Sequence, residues 1–319
     1  MNILLLGNTG QVGFELQRTL APLGNVTALD FPDVDFLQLD QLAALVRKHN
    51  PAVIVNAAAY TAVDKAESDP ATANTINSAA VGVLAAQAKQ LNALLVHYST
   101  DYVFNGSGTR PWIETDTPQP LSVYGHSKLA GETAIRISGC NHFILRTSWV
   151  YAARGQNFVR TILRLAAERD SLSVINDQIG APTFAGFLAH STAKMIDFDK
   201  ANAATRAKHL GTYHVTARGE ASWHTLASYA VQCALDCGAT LKVTPARIAA
   251  IPTSQYPLPA PRPSNSRMCV DKFEGTFGIA CPDWRTDCRN VVTELIRGDR
   301  KSTRLNSSHW ITSRMPSSA

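Results

Sequence analysis

The stretch Asn2-Ile3-Leu4-Leu5-Leu6-Gly7-Asn8-Thr9-Gly10-Gln11-Val12-Gly13-Phe14-Glu15-Leu16 decides the fold. Asn2–Leu6 is short and almost wholly apolar, as a strand buried on both faces must be. Glycines follow at once in the spacing G-x-x-G-x-x-G, and a helical pattern, Gln11–Leu20, follows the glycines. At such a junction glycine lets the chain turn tightly and bring backbone N–H groups close to a pyrophosphate, which the positive helix end favours. A plain strand-to-helix turn would use glycine too. The nucleotide reading gains from Asp30, which ends the next strand 17 residues beyond Gly13 and suits a ribose 2′-hydroxyl. Gly7, Gly10, Gln11, Val12, Gly13 and Asp30 are therefore candidate cofactor residues.

Outward from this point the first 150 residues alternate between strands and helices. Strands are expected at Asn2–Leu6, Asn25–Leu29, Ala52–Val55, Leu94–Tyr98 and His142–Arg146. Helices are expected at Gln11–Leu20, Leu39–Lys48, Ala71–Leu91 and Tyr124–Ile137. Alternation of this kind predicts an α/β, Rossmann-like doubly wound parallel sheet. After residue 150 the pattern loosens. Helices at Phe158–Arg169, Phe184–Phe198, Ser222–Leu235 and about Arg285–Ile296, with strands at Leu172–Ile175 and Tyr213–Val215, suggest a smaller α+β lobe. The expected division is a nucleotide-binding domain over 1–150, to which segments within 170–200 return, and a substrate-binding lobe over 151–300. Residues 301–319 are serine-rich without an apolar period, and read as a disordered tail, non-native to the gene and without chemical role.

Composition excludes several classes. Hydrophobic residues make up 45% and charged residues 17%, enough to build a core, and no apolar run has the length of a membrane span. Net charge is +5, but the tail holds three basic residues and no acid; without it +2 remains, too little for a nucleic-acid footprint. The N-terminus lacks a basic leader region, and the six cysteines form no C-x-x-C pair, so neither a secreted nor a zinc-bound protein is indicated. The cytoplasm is the expected location.

Tyr124-Gly125-His126-Ser127-Lys128 sets a tyrosine and a lysine four apart at a helix start, on one face. A phenol is too weak an acid to exchange protons readily at neutral pH, and a nearby ammonium would lower its pKa. Tyr124 is thus a candidate acid/base and Lys128 its partner, able also to hold a ribose. Tyr98-Ser99-Thr100-Asp101 ends the fourth strand, where Thr100, with Ser99, would polarise a substrate oxygen. Asn56-Ala57-Ala58-Ala59 ends the third; its small residues leave room for a ligand above the sheet or simply allow close helix packing.

Together these residues resemble the extended short-chain dehydrogenase/reductase superfamily, and within it the dTDP-4-dehydrorhamnose reductases. The resemblance covers nearly all of residues 1–297. It rests on Gly7–Gly13, Val55–Glu67, Tyr98–Phe104, Tyr124–Glu132, Arg146–Tyr151, Ser173–Thr183 and Pro261–Arg267. It implies NAD(P)H-dependent reduction of the 4-keto group of dTDP-4-dehydro-β-L-rhamnose to dTDP-β-L-rhamnose, a precursor of lipopolysaccharide and other surface polysaccharides. Tyr124, Lys128 and Thr100 are then catalytic. Asp101, Trp149, Asp64 and Arg262 match sugar-nucleotide positions, Arg262 toward the diphosphate, while Asp35 and Phe36 match positions around the cofactor's adenosine. The family's subunit-bridging Mg²⁺ site is only partly retained: Glu15 matches one carboxylate, but the facing helix offers Gly186 and His190. The resemblance leaves monomer or homodimer open, and either NADH or NADPH. Competing readings are another nucleotide-sugar reductase or epimerase, which Trp149 and Val55–Glu67 disfavour, and a non-catalytic regulatory subunit, which intact Thr100, Tyr124 and Lys128 disfavour.

Overall fold

Side chains of the first strand, β1 (Asn2–Leu6), alternate between two cores, Ile3 and Leu5 into one and Leu4 and Leu6 into the other. That double burial follows from the sheet around it. In the computed structural model, which describes residues 1–312 with side chains as far as Gly298, six parallel strands form one sheet. The others are β2 (Asn25–Leu29), β3 (Val53–Asn56), β4 (Leu94–Thr100), β5 (Asn141–Thr147) and, much later in the chain, Gly211–His214. The order runs Gly211–His214, β5, β4, β3, β1, β2. Strand order reverses between β1 and β3, so the carboxyl ends of these two strands open the crevice in which such sheets take ligands.

Helices cover both faces. On one face α1 (Gln11–Leu20) contributes Leu16 and Leu20. On the other lie α2 (Leu39–His49), with Leu42 and Val46, and the helical run expected over Ala71–Leu91. That run is interrupted. After α3 (Val63–Ser68), which sequence reasoning missed, come α4 (Pro70–Asn74), a π-turn at Thr75–Ala79, and α5 (Ala80–Leu91). The π-turn buries Asn77, whose amide bonds the Tyr60 backbone N–H (2.9 Å) and carbonyl (3.0 Å) and the Ser127 hydroxyl (3.0 Å). An inserted residue that re-aims a polar side chain is the usual reason for such a bulge.

The helix that carries the candidate acid, α6 (Val123–Ser138), is capped by Ser122, which accepts from the Gly125 N–H at 3.1 Å, and stops at Gly139 in the left-handed conformation. Tyr124, Lys128 and Glu132 share its buried face.

Beyond β5 the chain leaves and returns. The short β6 (Val150–Tyr151), α7 (Phe158–Glu168), β7 (Leu172–Ile175), β8 (Ile179–Gly180) and β9 (Thr183–Phe184) lead to α8 (Ala185–Ala201). Helix α8 packs Leu188, Met195 and Ile196 into the core of α1, so this part of 170–200 rejoins the sheet, whereas β7 does not. Gly211–His214, now β10, pairs with β5; the expectation that this strand belongs to the later lobe is corrected. Its Tyr213 is 1% exposed in the sheet's own core, which explains the assignment. After β11 (Ala221–Ser222), α9 (Trp223–Asp236) packs on α7 and on β7, which pairs with the unexpected β12 (Ile248–Ile251). A second unexpected element, α10 (Asp271–Phe277), adds Phe273 to the sheet core. Helix α11 (Trp284–Thr312) runs past its expected end near Ile296 into the segment read as a disordered tail; no proline interrupts it. Residues 313–319 lie outside the described residues. Among the described residues no helix is long and apolar enough to cross a membrane.

Candidate active site

The turn after β1 requires its glycines. Gly7 has φ +82°, and a Cβ there would lie 2.5 Å from the Ala58 nitrogen. A Cβ on Gly13 would lie 1.9 Å from the Gly7 carbonyl oxygen, so α1 could not close on the strand. At Gly10 the same test meets only the Gly7 carbonyl oxygen, at 3.4 Å, leaving open space over the helix N-terminus. That space belongs to a cleft of about 350 Å³ lined by Gly7, Thr9, Gly10, Gln11, Val12, Asp30, Ala57–Ala59, Thr61, Tyr98, Ser99, Tyr124, Lys128, Thr147 and Val150. A glycine cradle at a positive helix end, with an acid at one side and Tyr124 and Lys128 at the other, fits a dinucleotide.

Asp30 is engaged more fully than the sequence suggests. One carboxylate oxygen accepts from the Thr9 N–H (3.0 Å) and hydroxyl (2.5 Å), the other from the Phe31 N–H (2.9 Å). It therefore fastens the glycine loop as well as facing the cleft. Asp35 and Phe36 do not line the cleft: the Asp35 carboxylate accepts from the Leu37 N–H, and Phe36 is buried among Val34 and Leu42.

At the other end Tyr124, Thr100 and Asp101 form a hydrogen-bonded chain. The Tyr124 phenol bonds Thr100, and the Thr100 hydroxyl donates to Asp101 at 3.0 Å. Burial dominates the phenol's acidity and pushes its pKa up, and the Asp101 charge adds to it. Lys128 lies one helical turn on from Tyr124 on the same buried face of α6, and its Nζ is not bonded to the phenol. Lys128 donates instead to the Tyr98 carbonyl at 2.7 Å. Burial pulls Lys128 down to about 8, against the opposing charge of Glu132.

Asp101 is 2% exposed, and burial pushes its carboxyl up to about 6 despite hydrogen bonds from Ser266 and Thr100. A folded-state pKa above the unfolded one gives stability that is present below the unfolded value and lost as pH rises through the folded one. Asp101→Asn should therefore remove a loss of about 2–3 kcal/mol between pH about 4 and 6. Urea unfolding across that range checks this; an unchanged pH slope in the variant would contradict it.

The sequence-nominated sugar residues lie apart from the cleft lining. Arg262 gives both guanidinium nitrogens to Asp64, at 2.9 and 2.7 Å, and the Ala260 N–H joins the same carboxylate. This bidentate pair ties the proline-rich segment to α3. Trp149, at φ +49°, stacks on Trp223 with ring centroids 3.6 Å apart, above Gly180. Glu15 pairs with Arg18 at 3.5 Å, and the Phe184 ring occupies the space where a Gly186 side chain would begin. Among the described residues no three His, Cys, Asp or Glu side chains converge as a metal site.

Sequence reasoning missed the ionic lock beneath the site. Glu132, fully buried, accepts from Arg146 Nε (2.8 Å) and Nη2 (2.7 Å), the Ser99 hydroxyl (2.6 Å) and Arg136 (3.0 Å). The signal was present: Arg146 interrupts an apolar strand, and Glu132 continues the four-residue spacing of Tyr124 and Lys128.

A doubly wound sheet, a glycine cradle at its switch point and a buried Thr-Tyr-Lys set beside it define a Rossmann-type dehydrogenase of the short-chain kind. The model of the RmlD substrate binding domain matches residues 1–297. The dTDP-4-dehydrorhamnose reductase of Salmonella typhimurium is 50% identical over 299 residues, covering 92% of this chain and 98% of the relative. The chain belongs to this family. A solved dTDP-4-dehydrorhamnose reductase from Clostridium acetobutylicum superposes with TM-score 0.83 at 33% identity, over 94% of this chain and 100% of that one. Another, from Bacillus anthracis in complex with NADP, gives 0.82 at 31% identity, over 92% and 99%.

Proposed function

We infer that this chain reduces the 4-keto group of dTDP-4-dehydro-β-L-rhamnose with NAD(P)H, giving dTDP-β-L-rhamnose. The observation that carries this reading is the buried chain Tyr124–Thr100–Asp101 beside the glycine cleft, in a relative of known dTDP-4-dehydrorhamnose reductases. A nicotinamide cofactor bound in the glycine cleft would supply the hydride for the carbonyl carbon. Tyr124 gives its proton to the carbonyl oxygen; its raised pKa keeps that proton in place until charge develops on the oxygen. Thr100 orients the phenol and polarises the same oxygen. Lys128 holds the ribose of the cofactor, Gly7–Gly13 its pyrophosphate and Asp30 its adenosine side, while Asp64, Asp101, Trp149 and Arg262 surround the sugar nucleotide.

Purified chain mixed with dTDP-4-dehydrorhamnose and either NADPH or NADH should consume the reduced cofactor and yield dTDP-rhamnose. No consumption with either cofactor would overturn the reading. Cofactor choice is a separate expectation. Asp30 accepts hydrogen bonds and repels a 2′-phosphate, so Asp30→Ala should shift the kcat/KM ratio about tenfold toward NADPH. Steady-state kinetics with both cofactors checks it; an unchanged ratio would leave Asp30 only its loop-fastening role.

A further inference from the structure

The loop between β6 and α7 reaches across to the first turn of α1, and the hydrogen-bond directions there are fixed. Asn157, which caps α7, accepts the Arg160 N–H through Oδ1 at 3.1 Å. Its amide nitrogen therefore faces the other way, toward the backbone carbonyls of Ala152 (2.8 Å) and Arg154 (3.3 Å). The same nitrogen lies 2.9 Å from the end of the Gln11 side chain. An amide NH₂ only donates, so the Gln11 atom that it meets is the carbonyl oxygen, Oε1.

Gln11 is the first residue of α1 and lines the glycine cleft. With Oε1 turned to Asn157, Nε2 keeps both of its protons to donate, and among the described residues it has no partner. We propose that Asn157 is a positioning residue for the cofactor: it fixes the Gln11 amide so that Nε2 presents its protons to the pyrophosphate at the α1 N-terminus. An amide free to turn would offer its carbonyl oxygen to that anion as readily, and two acceptors repel.

The loop is held against α1 at two further points. Gly155 packs on the Gln11 stem, where a Cβ would lie 3.1 Å from Gln11 Cγ. The Arg154 guanidinium lies 4.1 Å from the centre of the Phe14 ring, one turn further along α1. Asn157 begins the helix that packs with α9, whereas Gln11 begins the helix that packs with α8. Cofactor affinity is thereby set in part by a residue outside the sheet and its covering helices.

This inference rests on the cofactor reading of the cleft, so the test reads binding and the amide itself, not turnover. The full chain, labelled with ¹⁵N-glutamine for NMR, is titrated with NADPH, and Gln11→Ala identifies the Gln11 amide signal. In the unaltered chain that signal should shift as NADPH saturates the site. Asn157→Asp keeps the α7 cap and replaces the donor with an acceptor. It should turn the Gln11 amide toward the new carboxylate and raise the NADPH Kd about tenfold, the loss of one bond to a charged group. In the Gln11→Ala chain the same substitution should change Kd by less than about twofold. A Gln11 signal that bound NADPH leaves in place overturns the proposal without a second variant. So does an unchanged Kd in Asn157→Asp, or an equal weakening in both chains, which is what plain charge repulsion would give. An unaltered chain that binds neither NADPH nor NADH overturns the cofactor reading, and this inference with it.

Discussion

Replacing Tyr124 with phenylalanine should lower turnover by about 10² or more while leaving cofactor affinity within a few-fold of the original. The substitution removes one oxygen and keeps the ring, which packs against Ala66 and Ala73 and meets Tyr102 edge-on at 5.5 Å. The fold has no reason to change. What disappears is the proton at the head of the chain through Thr100 to Asp101. Hydride can still reach the carbonyl carbon only if the oxygen takes its proton from elsewhere, and the site is too buried to offer bulk water readily. Kinetics with saturating cofactor, alongside a fluorescence titration of cofactor binding, separates the two quantities. Turnover near that of the original chain would remove Tyr124 from the reaction.

Glu132→Ala should destabilise the fold by about 3–5 kcal/mol, the cost of leaving a buried charge without its partner. Arg146 is 2% exposed and has committed two nitrogens to this carboxylate. Burial alone would raise the Glu132 pKa. The bonds and charge of Arg146, with Ser99 and Arg136, outweigh it and hold the carboxyl below its ordinary value. A depressed folded pKa gives stability that is present above the unfolded value and lost as pH falls through the folded one, so the lock holds at neutral pH. Urea unfolding should show the loss, and Glu132→Met with Arg146→Met together should recover much of it, because no charge is then stranded. A single variant as stable as the original chain would show that the lock contributes nothing.

Sequence made the sheet legible because its strands are buried on both faces, which leaves short unbroken apolar runs: β1, β2 and α1 fall at their expected limits. The glycine turn was equally readable, since Gly7 and Gly13 answer to close backbone contacts that any such turn imposes. Three features escaped for identifiable reasons. Gly211–His214 is a sheet strand only because β5 has a free edge sixty-odd residues earlier in the chain, and no local pattern records that. The π-turn at Thr75–Ala79 exists to aim Asn77 at Tyr60 and Ser127, partners distant in sequence. The Asp64–Arg262 pair joins segments nearly 200 residues apart, so each residue looked free to meet a ligand.

The late arrival of β10 bears on how the protein can be cut. A fragment ending at residue 150 keeps the glycine cradle and the Tyr124 helix, yet it loses the neighbour that β5 bonds along Phe143–Arg146. It also loses α8 and α10, whose Leu188, Met195 and Phe273 cover the same face. The exposed strand would present unpaired N–H and C=O groups beside bare Phe143 and Leu145, a template for pairing with another molecule. Such a fragment should precipitate when expressed. A ribosome that has made only the first half of this chain has made something adhesive, and the remedy lies in residues it has yet to translate.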